Sequence, residues 1–327
     1  MNNLKKFLAG MLLALALLPG YGNAVTQNAG YRAKVIRINQ SGFYASSVQQ
    51  IIMLRKLLEP YLPAGVSVEW TTIAGSPNTR EAMVTGRIDI GSMSAAAFIL
   101  GAENGLPLTL LSAAGRTGTV GLFCNTLDIK ELRDLTPATR ISAANPGTSL
   151  GMAFLAACGE TLGNLALCRN SIVPIPDAEA LLLLRSGKEF QCGIFSFPFS
   201  VEAEKSPFLR RAVDLTPIII QYGLDSYMVA NQDFYSNNPL LIEAFRKATQ
   251  DAVRFMNENP AEASRLLSGL YGIAPESIER ELRAVPQAFE VNGYDALAAL
   301  LHKLDAVSGP PKKFAELPNY SSIPARP

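Results

Sequence analysis

Two periodicities take turns along the chain. Ala33-Lys34-Val35-Ile36-Arg37-Ile38-Asn39 has the two-residue alternation of a strand, and Val48, Ile51, Ile52, Leu54 and Leu58 fall mostly on one face of a following helix. Val66, Val68 and Trp70 then alternate with Ser67 and Glu69, which predicts another strand ending at Gly75. Ser76 stands as an N-cap with Pro77 at the first helical position, where a missing N–H costs nothing. That helix stops near Gly86. Ile88–Ile90 form a further short strand, and Ser94 caps a helix through Ala95-Ala96-Ala97 toward Glu103. Strand, helix, strand, helix at this spacing is a βαβα unit with parallel strands. Both helices start at the carboxyl edge of the sheet, so their free N–H groups and positive dipole ends face one crevice, where α/β sheets bind ligands.

The pattern continues with strands at Leu108–Ala113 and Val120–Cys124 around a glycine-flanked turn. A second segment repeats the same order: an amphipathic turn at Ile129–Leu135, a strand at Arg140–Ala144 and a helix at Leu150–Leu162. A strand at Ile172–Ile175, a helix capped by Asp177 and closed near Gly187, and a strand at Cys192–Phe195 follow. Ala212–Leu215 and Ile218–Tyr222 read as one strand broken at Pro217, and Ser226–Ala230 as another. Helices at 239–257, 260–271, 275–284 and 293–307 complete the chain, with a proline-rich end along the surface. Two crossings, near 120–126 and 215–228, predict a two-lobed α/β clamp. Residues 33–123 with 223–327 make lobe 1, residues 124–222 make lobe 2, and hinged closure buries a ligand between them.

Composition adds a compartment. Lys5 and Lys6, the apolar run Phe7–Leu18 and the small residues up to Ala24 predict a signal peptide over residues 1–24. The run is shorter than the roughly 18 residues that span a bilayer, and no later stretch qualifies, so the chain is expected to be exported and not membrane-spanning. With 29 basic and 28 acidic residues and no basic block, nucleic acid is excluded as a partner. An oxidising compartment permits disulfides among Cys124, Cys158, Cys168 and Cys192. Cys158 and Cys168 flank what reads as a helix end and loop and are the favoured pair. Cys124 and Cys192 sit in apolar strand-like runs and read as buried thiols. The single histidine, His302, lies in the last helix, and no CxxC occurs, so no metal site is expected.

The candidate binding residues leave strands or open helices at the predicted crevice. Ser41, Gly42, Phe43 and Tyr44 follow the first strand, with an aromatic ring to pack on a ligand. Ser76, Ser92 and Ser94 offer hydroxyls, and Met93 is either a contact or core. Gly147, Thr148 and Ser149 open a helix in the second lobe, facing the first-lobe serines when the clamp shuts. Ser196 and its neighbours Phe197 and Pro198 follow a second-lobe strand. Arg116 is the best-placed cation for a sulfonate, carboxylate or phosphate oxygen, or else a solvated turn residue. Asp225 either receives an ammonium group or stays a turn aspartate. No G-x-S-x-G, H-E-x-x-H or P-loop pattern is present.

Four stretches, Ala74–Phe98, Asp128–Ser149, Pro176–Ala203 and Asn238–Leu267, together resemble the periplasmic substrate-binding proteins of ABC importers. The likeness is to the nitrate/taurine/alkanesulfonate-binding group, which includes thiamine-pyrimidine-precursor binders. Their order and spacing carry it, with the sequences AGSPNTREAMVTGRIDIGSMSAAAF and PDAEALLLLRSGKEFQCGIFSFPFSVEA at its centre. Gln191 or Cys192 replaces the group's usual aspartate, and Thr136-Pro137 its usual Gly-Lys. The resemblance implies a type II periplasmic binding fold, a monomer in the periplasm and no cofactor. It implies capture without catalysis of a sulfonate, nitrate-like anion or pyrimidine precursor. The solute then passes to an inner-membrane ABC permease with its ATPase. Gly147-Thr148-Ser149 matches a position that touches ligand in that group. Two other roles go with similar folds. One is a TRAP receptor of the TAXI type. The other is a pyrimidine synthase, which relies on an active-site histidine, a lysine and a cysteine-rich motif that His302 and the four scattered cysteines do not supply.

Overall fold

The computed structural model describes residues 30–41, 44, 47–143 and 146–324. The expected signal peptide and the candidates Gly42 and Phe43 lie outside the described residues. Strands β1 (Val35–Asn39), β2 (Ser67–Thr71), β3 (Ile90–Ser94), β4 (Leu108–Gly115), β5 (Val120–Cys124), β6 (Ile141–Ala143), β7 (Ile172–Pro174), β8 (Cys192–Ser196), β9 (Arg210–Asp214) and β10 (Ser226–Asn231) form two five-stranded sheets. Their orders are β2-β1-β3-β10-β4 and β7-β6-β8-β5-β9. The strands of the predicted βαβα unit are parallel, with β1 between them. β6 likewise runs parallel to both β7 and β8. In each sheet a strand from elsewhere in the chain, β10 or β5, runs antiparallel to the parallel set.

The helices are α1 (Ser47–Arg55), α2 (Ser76–Val84), α3 (Ala95–Glu103), α4 (Ser149–Leu162), α5 (Leu165–Ser171), α6 (Asp177–Ser186), α7 (Phe199–Glu204), α8 (Thr216–Gln221), α9 (Gln232–Asn237), α10 (Pro239–Glu258), α11 (Pro260–Tyr271), α12 (Pro275–Ala284) and α13 (Tyr294–Lys303). One apolar core runs across both sheets and joins Ile88 and Val229 to Leu122 and Ile194, with Leu297 and Leu301 of α13 completing it. A second core lies under α1 and α10, and a third under α6 and α7. The segment after Gly309 is anchored as well as superficial, since Leu317 and Ile323 are buried and Val291 N–H donates to the Pro324 carbonyl.

Several local readings are corrected. The strand expected at Ile88–Ile90 runs from Ile90 to Ser94, because β10 extends its ladder to the Ser226–Ser94 pair. Arg37 holds Asp89 just outside it, at 2.8 Å. Ser76 is not an N-cap: Gly75 occupies that position at φ +83°, and Ser76 is already helical. Asp177 likewise makes no cap hydrogen bond and sits in the first turn of α6, after Pro176. The strand expected at Ile218–Tyr222 is helix α8. Pro217 falls in its first turn, where no N–H is missed. The loop expected near Leu167 is mostly α5.

Cys158 and Cys168 are bonded between α4 and α5. Cys124 and Cys192 are not thiols but a second disulfide. They face each other in the β5–β8 register, with Cα atoms 4.0 Å apart.

The chain passes between the sheets at 116–119 and again at 215–225. β5, expected as a hinge strand, lies wholly in the second sheet, paired with β8 and β9. Glu281 of α12 grips the first crossing, accepting from Thr119 N–H at 2.5 Å and its hydroxyl at 3.2 Å. Thr117 ties the two crossings, its hydroxyl donating to the Leu224 carbonyl at 2.8 Å.

Candidate functional site

Parallel strands aim their following loops at one edge of a sheet, and here the two edges meet. Between them is a cavity of about 270 Å³. The first sheet contributes Ser41 and Tyr44 after β1, Gly75, Ser76 and Pro77 after β2, and Ser92, Met93 and Ser94 at the end of β3. Thr117 after β4 and Ser226 opening β10 complete that wall. The second contributes Thr148, Ser149 and Leu150 after β6, Asp177 after β7, and Ser196, Phe197, Pro198 and Phe199 at the end of β8. The lining is thus a mosaic of hydroxyls and apolar surface, the composition of a small-molecule pocket. Tyr44 and Phe197 meet edge-to-face across it, ring centroids 4.6 Å apart, so the two walls touch directly.

Local hydrogen bonds set these side chains. Ser76 Oγ accepts from Ser94 N–H at 3.0 Å, linking the α2 and α3 tips. Ser94 Oγ caps α3 through Ala97 N–H at 3.3 Å. The Ala95 N–H goes to the Asp225 carbonyl at 2.8 Å. Two of the amides at the start of α3, expected to point at a ligand, are therefore used inside the protein. The Ser149 hydroxyl also reaches the Asp225 carbonyl, at 3.4 Å, across the junction.

The structure places the sequence candidates unevenly. Ser41, Tyr44, Ser76, Ser92, Met93, Ser94, Thr148, Ser149, Phe197 and Pro198 are brought together around the cavity. Gly147 is not in its lining, and neither are Arg116 and Asp225. These last two face each other behind the wall, Arg116 Nη1 lying 3.2 Å from Asp225 Oδ2 with both side chains largely buried. Burial pushes the Asp225 carboxyl up to about 6, against the opposing pull of Arg116 and the Thr117 N–H. His302 is exposed on α13.

Asp177 was legible only as a helix start. In the structure it is a carboxylate in the cavity wall, pushed by burial to about 6, and its Oδ1 has no hydrogen-bond partner. Thr117, Ser226, Leu150 and Phe199 were also missed. Thr117 belongs to the first crossing and Ser226 directly follows the second, and nothing in a single sequence shows that crossings and loop ends share one space.

No family model matches the chain, and no curated protein matches it in sequence. Solved structures do match its shape. The alkanesulfonate-binding protein SsuA from Xanthomonas axonopodis pv. citri, bound to MOPS, has 14% identity over 90% of this chain and 99% of its own, at a TM-score of 0.73. The periplasmic aliphatic sulphonate binding protein SsuA from Escherichia coli has 19% identity over 88% and 98%, at 0.70. The periplasmic nitrate-binding protein NrtA from Synechocystis PCC 6803 has 15% identity over 76% and 70%, at 0.62. Two sheets, two crossings and a cavity at their meeting edges therefore give this chain the two-lobed α/β fold of the periplasmic binding proteins.

Proposed function

We propose that this protein is the periplasmic solute-binding component of an ABC importer. It captures one small molecule between its sheets and presents it to an inner-membrane permease. The observation that carries this reading is the shared cavity: each wall comes from a different sheet, so a ligand contacts both only when the walls meet. The similar structures name sulfonate- and nitrate-binding proteins and an ABC-type import component, which supports transport in place of chemistry. Among the described residues no helix is long and apolar enough to cross a membrane, and two disulfides suit an oxidising compartment. The pocket supplies orientation through hydroxyls and desolvation through Tyr44, Phe197 and Phe199, and it releases what it holds unchanged.

Titration calorimetry against a panel of organic cations, sulfonates, nitrate and heterocycles tests the reading. Saturable binding of one solute per chain, recovered intact, is expected. Heatless titrations across the panel, or a solute returned chemically altered, contradict it.

A further inference from the structure

Two cavity-lining side chains carry buried polar atoms with no hydrogen-bond partner in the protein: Oδ1 of Asp177 and the hydroxyl of Tyr44. A buried, unpaired acceptor costs about 1–3 kcal/mol, more when charged, and at a cavity wall a bound ligand is one means of completing it. Among the described residues no lysine, arginine or histidine lines the cavity. The one cation that sequence position favoured, Arg116, is spent on Asp225. Anion-donating amides are also reduced, since Ala95 and Ala97 N–H bond to Asp225 and Ser94. The remaining wall includes the rings of Tyr44, Phe197 and Phe199, whose faces attract cations.

We propose, resting on the capture reading above, that the solute carries a cationic nitrogen, an ammonium or amidinium, which Asp177 receives in a cavity it shares with these aromatic rings. The site then selects against sulfonate and nitrate, whose charge meets an unpaired carboxylate and no cation. Burial alone raises the Asp177 carboxyl. The elements packed against α6 are β6, β8 and α7. Of these, only α7 bears charge, in Glu202 and Glu204, and Glu202 is paired with Lys205 and Arg185. Tyr44 stays neutral, held well above 10 by burial.

The test is calorimetry with benzamidinium and phenethylammonium against benzenesulfonate and nitrate, for the native protein and Asp177→Asn. At least one cation is expected to bind one-to-one at pH 7.5. It should weaken at least tenfold in the variant and also as pH falls from 7 to 5. The variant should melt at or above the native temperature, which separates lost recognition from lost fold. Binding of benzenesulfonate or nitrate without either cation overturns this inference and leaves capture standing. Binding of none of the four overturns this inference, and the full panel then decides capture. A cation whose affinity is unchanged in Asp177→Asn removes the carboxylate from recognition and overturns it as well.

Discussion

The Arg116–Asp225 pair is where a single side chain has most leverage. Both groups are largely buried at the crossings, and removing one partner strands the other in a poorly solvated site. Arg116→Ala should therefore cost about 3 kcal/mol of unfolding free energy near neutral pH. The pH dependence has a definite sign. Asp225 and Asp177 are both raised to about 6, so between about pH 4 and 6 the folded state holds protons that the unfolded state has released. Each group's contribution to stability therefore falls as pH rises through that window. Arg116→Ala should raise the Asp225 carboxyl further and lose less at pH 5 than at pH 8 by urea unfolding; equal losses contradict the buried pair. Asp177→Asn removes the same kind of penalty, so it should gain about 1–3 kcal/mol at pH 7.5 and flatten the slope from pH 4 to 6. A loss at pH 7.5 contradicts an unpaired carboxylate.

Elements differ in how visibly the sequence encodes them. The tail helices α10, α11 and α12 stand where expected because each opens with proline and keeps a helical apolar period. Helix α8 was unreadable for the opposite reason: Ile218, Ile219 and Ile220 favour a strand, and tertiary context overrides that preference. The Cys124–Cys192 bond depends on strand register across 68 residues, which local pattern does not reveal. Closing a loop of that length should contribute about 4 kcal/mol, against about 3 for the 10-residue separation of Cys158 and Cys168. Replacing each pair with alanine and comparing denaturant midpoints checks the order, and the opposite ranking contradicts it. At the first crossing, Gly118 has φ +83°, and an added Cβ would lie 2.5 Å from Glu281 Oε1. Gly118→Ala should cost about 1–3 kcal/mol through backbone strain alone, more if Glu281 is displaced from Thr119. A melting temperature equal to the native one contradicts the tight crossing.

At the scale of the whole molecule, the repeated α/β order made the two-sheet architecture legible, and the rule that ligands lie at carboxyl strand ends located the crevice. Ser76, Ser92, Ser94, Thr148 and Ser149 were readable as loop and helix-start residues on that edge. What stayed hidden was which charges face inward. Arg116 and Asp225, read as candidates to meet a ligand's charge or else as turn residues, pair with each other behind the wall, whereas Asp177, read as a cap, lines the cavity. Tyr44 and Phe197 touch across the gap, so any parting of the walls breaks this contact and their return restores it. Native mass spectrometry of protein exposed to a bacterial metabolite extract tests capture most directly, with Thr148→Trp filling the cavity as the control. The account predicts one retained small molecule per native chain and none on the filled variant at unchanged fold. A native chain that retains nothing, or a filled variant that retains the same mass, contradicts it.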